Sequence, residues 1–130
     1  MFIQESAVLR PETIAIRELK RRIKDDAVNI RTHKKELRLT QRQNPNDWHT
    51  AVDQSNLMRE RSLARARLLI YGVLRGKTWD QMEQKHTWNS WMKMTLTREF
   101  TAIQAYVLAE SGQTLVMPDD LSTIITTAIS

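Results

Sequence analysis

Glycine and proline are scarce in this chain, and that scarcity restricts the folds open to it. Each occurs three times in 130 residues, at Gly72, Gly76, Gly112, Pro11, Pro45 and Pro118. Sheet proteins need many tight turns, and tight turns depend on these two residue types. The sequence therefore predicts an all-α fold made of long helices, arranged as one domain over residues 1–130.

The first predicted helix covers residues 12–43. Its apolar residues recur every seven positions, as Ile16, Ile23, Ile30 and Leu37. This spacing is typical of one face of a long helix, and we expect that face to point toward the core.

A turn and a second long helix follow. Residues 44–47 read Asn-Pro-Asn-Asp, a turn cluster that ends in a good helix-capping aspartate. The second helix is predicted over residues 48–75, with Trp48 packed at the turn. Two long helices joined by four residues favour an antiparallel hairpin over residues 12–76. The apolar stripe of the second helix is Val52, Leu63, Ala66, Ile70, Val73 and Leu74.

Residues 77–130 are predicted to form a smaller helical cap. A short helix is expected over residues 79–85 and a longer one over residues 88–110. Gly76 and Gly112 follow helices in the position where glycine commonly ends them. A last helix after Pro118 is predicted to dock on the core or on another chain. The longer helix has the apolar stripe Trp88, Met92, Leu96, Phe100, Ile103 and Val107.

Charge is distributed unevenly along the chain. The net charge is +5, but residues 12–76 carry +7 and residues 77–130 carry −2. In the first helix the cations gather on one flank and most acids on the other, although mixed surface charge usually alternates in sign. This pattern favours a surface that follows a phosphate backbone. An ordinary solvated face and an acidic protein partner are the alternatives. The predicted nucleic-acid-binding residues are Arg17, Arg21, Lys24, Arg31, Lys34, Lys35, Arg38, Arg42, Arg61, Arg65 and Arg67.

Polar residues interrupt the contact between the two long helices. Asp26 and His33 occupy the heptad position that Leu19 holds earlier in the helix. An antiparallel hairpin turning at residues 44–47 places Asp26 near Arg65 and His33 near Met58. An Asp26–Arg65 ion pair would fix the helix register; the alternative is that this edge is simply exposed.

Catalytic and cofactor motifs are not apparent. The chain has no cysteine, and its three histidines are too far apart for metal-ligand spacing. Residues 72–78 read Gly-Val-Leu-Arg-Gly-Lys-Thr, one residue short of a phosphate-binding loop. We interpret this segment as a helix end followed by a cap. The sequence thus predicts a protein that is not an enzyme and has no metal or cofactor.

Residues 74–99 resemble a helix-turn-helix, in which the second helix lies in the major groove of DNA. Asn89 and Lys93 would then face the groove or the bases. The chain has Lys85-His86 where that family usually has a turn glycine. Three tryptophans of this region, Trp79, Trp88 and Trp91, are compatible either with base stacking or with core packing.

These patterns favour a non-enzymatic nucleic-acid-binding protein. In size and composition the chain is similar to all-helical small subunits of nucleoprotein complexes. One alternative is an adaptor or inhibitor, of the kind mobile elements encode, that docks on a partner protein or on a second copy. Another is a helix-turn-helix regulator. No secretory signal or apolar span is apparent, so we expect a cytoplasmic protein without membrane contact.

Overall fold

The computed structural model describes residues 9–43, 48–77 and 90–126. Within these ranges the chain forms four helices and no strands, which confirms the predicted all-α fold. The helices are α1 (Pro11–Gln43), α2 (Trp48–Leu74), α3 (Ser90–Ser111) and α4 (Asp119–Thr126). Helices α1 and α2 pack closely as an antiparallel hairpin, and α3 and α4 form the smaller cap. The predicted helix over residues 79–85 lies outside the described residues.

The helix ends follow the local sequence. Pro11 begins α1, where its fixed φ angle suits the first helical turn. After α2, Gly76 has a φ angle of 87°. Its N–H donates to the carbonyl of Val73 at 2.9 Å, and the N–H of Lys77 donates to Gly72 at 3.0 Å. This is a Schellman motif, so the predicted role of Gly76 as a helix terminator is confirmed.

An apolar core forms where the first part of α1, the second part of α2, and the cap meet. We call this region the body (residues 9–26, 66–77 and 90–126). The predicted stripe of α3 is confirmed from Met92 to Val107, and Leu121 of α4 has no exposed surface. The last helix therefore docks on the core of its own chain. The buried cluster is Ala15, Leu19, Ala66, Leu69, Ile70, Val73, Leu96, Phe100, Ile103, Val107, Leu115 and Leu121.

The rest of the hairpin is a two-helix extension. We call it the arm (residues 27–43 of α1 and 48–65 of α2). Among its described residues only Thr50 and Leu57 are buried, and neither belongs to the core cluster. Large apolar side chains are exposed here, because among the described helices α3 reaches the arm only near Arg59 and Leu63. They are Val28, Leu39, Trp48, Val52 and Met58.

The packing direction predicted for α1 is wrong, and the one predicted for α2 is confirmed in its second half only. In α1 the buried positions are Ala15, Glu18, Leu19 and Asp26, whereas the predicted row that begins at Ile16 is half-buried. In α2, Ala66, Ile70 and Val73 of the predicted stripe are buried, but Trp48 is 66% exposed rather than packed at the turn, and Val52 is 42% exposed. Apolar spacing alone does not set how a helix is rotated, since that rotation also depends on which polar pairs form across the contact.

In the described ranges no helix combines the length and apolar character needed to cross a bilayer.

Candidate nucleic-acid interface

A row of exposed cations runs along one face of α1. We call it the basic stripe (Arg17, Lys24, Arg31, Lys35, Arg38 and Arg42); all six side chains are exposed. At a rise of 1.5 Å per residue, its two ends lie about 37 Å apart along the helix. Within the described residues, none of the six forms an ion pair. Their charge therefore faces solvent and is not neutralised by an ion pair with any carboxylate of the described ranges.

The stripe forms because its cations are spaced so that they share one face of the helix. Residues three, four or seven positions apart share a helix face, and these cations recur at those intervals. Val28 and Leu39 lie among them and are also exposed. Lys34, predicted as part of the same surface, is half-buried.

Arg21 is exposed like the stripe, but two carboxylates of its own helix bind it. Its guanidinium contacts Glu18 at 2.6 Å and Asp25 at 3.1 Å. Glu18 is buried and also accepts a hydrogen bond from Arg22 at 2.6 Å. Hydrogen bonds from Arg21, together with Arg22, lower the pKa of Glu18 although burial opposes this shift. The charge of the Arg21 guanidinium is thus balanced by carboxylates of its own helix.

Arg67 is placed inside the molecule rather than on its surface. Its side chain is 17% exposed and donates to Asp26 at 2.5 Å and to Glu99 at 2.8 Å. One guanidinium therefore joins α1, α2 and α3. Arg61 and Arg65, the other predicted cations of α2, are exposed.

The predicted partner of Asp26 was Arg65, and that register is wrong by two residues. Three polar pairs cross the hairpin, each seven residues from the next. Asp26 pairs with Arg67, the ring of His33 lies 4.0 Å from Glu60 rather than near Met58, and the hydroxyl of Thr40 donates to Asp53 at 2.9 Å. The two helices are therefore shifted along their axes by about 3 Å relative to a turn-centred pairing.

Asp26 is buried, with 2% of its surface exposed, so an exposed edge at this position is also excluded. Burial raises the pKa of the Asp26 carboxyl; Arg67 opposes that shift, and Glu60 and Glu99 add to it. Its second oxygen has no hydrogen-bond partner among the described residues. The pair sets the register of the hairpin while leaving one carboxylate oxygen unsatisfied.

The helix-turn-helix residues are only partly described. Asn89, Trp79 and Trp88 lie outside the described residues. Lys93 lies on α3, is half-buried, and lines an open cavity with Met94, Arg98 and Ile125. The predicted groove-facing arrangement remains a prediction.

The segment that resembles a phosphate-binding loop is helical at its start. Gly72 is a buried residue of α2, and Arg75 and Gly76 form the turn that ends the helix. This confirms its interpretation as a helix end. Across residues 9–43, 48–77 and 90–126, no group of three or more His, Asp or Glu side chains is placed to hold a metal ion.

Sequence reasoning missed the exposure of Trp48 and the two ion pairs that Arg67 forms, with Asp26 and with Glu99. A signal for the first exists in the sequence: Trp48 begins its helix next to a polar turn, at the opposite end from the strongest part of the apolar stripe, Ala66 to Leu74. Nothing in the sequence singles out Arg67 over Arg65.

Comparison with known proteins found no match among family models, curated proteins or solved structures.

Proposed function

We propose that the protein is a non-enzymatic nucleic-acid-binding protein that holds a phosphate backbone along the basic stripe. The observation that carries this proposal is the row of six exposed cations without carboxylate partners among the described residues. Like charges repel along a helix, and a polyanion relieves that repulsion while releasing its own counterions. Contacts of this kind position a backbone without reading its sequence.

The proposed surface is smaller than the set of cations predicted from the sequence. Arg21 and Arg67 are left out, because carboxylates of the chain already neutralise them. Arg61 and Arg65 stay in it as exposed cations of α2.

The test measures nucleic-acid binding as a function of salt. In the variant Arg31→Ala/Lys35→Ala/Arg38→Ala, the slope of log K against log salt should become shallower by about one for each residue removed. The matched control is Arg75→Ala/Lys77→Ala/Arg98→Ala, which removes the same charge from exposed positions outside the stripe.

The control separates a local surface from the effect of net charge. We expect the control to keep nearly the wild-type slope, since its cations lie away from the stripe. Equal slopes for both variants would contradict the proposal, as would wild-type binding that does not respond to salt. A quick first measurement is the 260/280 nm absorbance ratio of freshly purified protein, which rises when nucleic acid co-purifies.

A protein-docking function is the second candidate, and the exposed apolar side chains of the arm favour it. The variant Val28→Ser/Leu39→Ser would weaken such docking and leave the salt dependence of nucleic-acid binding unchanged. Deleting residues 118–130 is not a clean test, because it removes Leu121 from the core.

A further inference from the structure

The tip of the arm presents an exposed tryptophan that the basic stripe does not explain. Trp48, the first residue of α2, is 66% exposed. Tryptophan is usually well covered in folded proteins, since it buries a large apolar area. The ring of His49 lies 3.9 Å from the indole, centroid to centroid, at an interplanar angle of 30°. Even with this neighbour, most of the residue faces solvent.

Trp48 begins α2 at the same end of the hairpin at which the basic stripe ends. Only five peptide steps separate Gln43, the last residue of α1, from Trp48, so their Cα atoms are at most about 19 Å apart. The hydrogen bond between Thr40 and Asp53 holds the two helices together next to this end. Arg42, the last cation of the stripe, is exposed there.

We infer that Trp48 is a stacking platform for an unpaired nucleobase, so that the ligand of the basic stripe is single-stranded nucleic acid. This inference rests on the proposed function and adds the class of strand. Surfaces that bind single strands combine cations along the backbone with aromatic rings on which bases stack. In a duplex the base faces are already stacked on each other, so no base face is free to stack on an exposed indole.

The neighbouring ring of His49 makes such a platform more effective. An aromatic side chain that already contacts another ring loses less conformational freedom when a ligand packs on it. Stacking is tolerant of base identity, because every base has a π-face. The stripe then accounts for the salt dependence of binding, and Trp48 accounts for the preference between single and double strands.

The experiment compares two variants at Trp48 on two ligands. The ligands are a fluorescent oligothymidine of about 16 nucleotides, the upper end of common single-strand site sizes, and a duplex of the same length. Trp48→Ala should weaken single-strand binding roughly 5- to 160-fold, the range that corresponds to losing one stacked base. Trp48→Phe should stay within a few-fold of wild type. Duplex binding and the salt slope should not change in either variant.

The matched control is Met58→Ala, which removes another exposed apolar side chain from the same helix of the arm, itself 67% exposed. It should bind both ligands as the wild type does. Circular dichroism melting of each variant verifies that the arm is still folded, and Trp48→Phe serves as the folded comparison if the alanine variant melts early.

Three results would overturn the inference. One is single-strand binding by Trp48→Ala that equals that of Met58→Ala. Another is an equal loss on single strand and duplex, which would make Trp48 a structural residue. The third is duplex binding stronger than single-strand binding in the wild type. If the stripe variant still reduces the salt slope, only the stacking inference fails; if the wild type binds neither ligand, the proposed function fails with it.

Discussion

The body and the arm are built from the same two helices, yet they are held together in different ways. In the body, α1 and α2 meet through Ala15, Leu19 and Ile70, and α3 completes a closed apolar core. In the arm they meet through His33–Glu60 and Thr40–Asp53, and large apolar side chains remain exposed. Apolar burial is thus concentrated where α3 packs on the hairpin, and polar pairs add to the contact between α1 and α2 beyond it.

The boundary between the two regions is the Asp26–Arg67–Glu99 cluster. One arginine there binds carboxylates from α1 and α3 at 2.5 and 2.8 Å. Buried charge pairs add little net stability compared with apolar packing, but they can specify one register against its neighbours. We interpret the cluster as the point that aligns the arm on the body.

The largest expected difference between the body and the arm is in the unfolding free energy lost when a leucine is replaced by alanine. Leu96→Ala in the body should cost about 4 kcal/mol of unfolding free energy, since Leu96 is fully buried and its removal leaves a cavity. Leu37→Ala in the arm should cost about 1 kcal/mol, since Leu37 is half-buried and water can fill the space. Urea unfolding followed by circular dichroism measures both values.

Equal costs at the two positions would break the comparison, because the arm would then be packed as tightly as the body. A sharper form of the test is hydrogen exchange. Amides of residues 27–43 should exchange through local opening, at lower free energy than amides of residues 96–107.

The fold was largely predictable because its signals are local. Gly76 and Gly112 end helices through their own backbone freedom, and both have positive φ angles. The stripe from Met92 to Val107 follows the helical period, so its direction could be read from spacing alone. Such features depend on neighbours within a few residues.

The candidate site was predictable only in part, because it depends on contacts between distant residues. Which cations stay unpaired is decided by whether a carboxylate from another turn or helix reaches them, as Glu99 reaches Arg67 across 32 positions of sequence. A two-residue difference in register exchanges Arg65 for Arg67. Trp48 was expected to pack at the turn but is exposed; its burial depends on which distant parts of the chain reach the end of the arm, and a local pattern does not give that.

The next effect in size concerns the cluster at the boundary. Arg67→Met should cost about 3 kcal/mol at neutral pH, because it leaves Asp26 and Glu99 buried without their cation. Arg65→Met, which alters an exposed cation two residues away, is the matched control and should change stability little. If both variants unfold at the same urea concentration, the cluster does not align the two regions.

The cost of Arg67→Met should also depend on pH. Burial raises the pKa of the Asp26 carboxyl, so acidification protonates this abandoned group and removes the charge that the apolar surroundings disfavour. The stability gap to the wild type should therefore narrow as the pH falls. A gap that stays constant between pH 7 and pH 4 would mean that lost packing, and not uncompensated charge, causes the effect.

The smallest effects distinguish two buried acids of α1 by the sign of their pH dependence. The pKa of Glu18 is lowered, chiefly by the hydrogen bond from Arg21, so its contribution is present above the ordinary pKa of glutamate and is lost as the pH falls through the folded-state pKa. Glu18→Gln should cost about 1 kcal/mol at pH 7, since it weakens charge-assisted hydrogen bonds from two arginines.

The pH dependence of stability linked to Asp26 has the opposite sign, because burial raises the pKa of its carboxyl. Stability linked to its ionisation is present below the ordinary pKa of aspartate and is lost as the pH rises through the raised folded-state pKa. Asp26→Asn keeps an oxygen for Arg67 and removes the buried charge, so it should be about 1 kcal/mol more stable than wild type at pH 7. Below the ordinary pKa of aspartate that advantage should vanish. Asp25→Asn, at an exposed neighbouring position, should show neither effect. If Asp26→Asn is the less stable protein at pH 7, the ionised pair with Arg67 stabilises the boundary outright, and the arm is joined to the body by electrostatic attraction as well as by register.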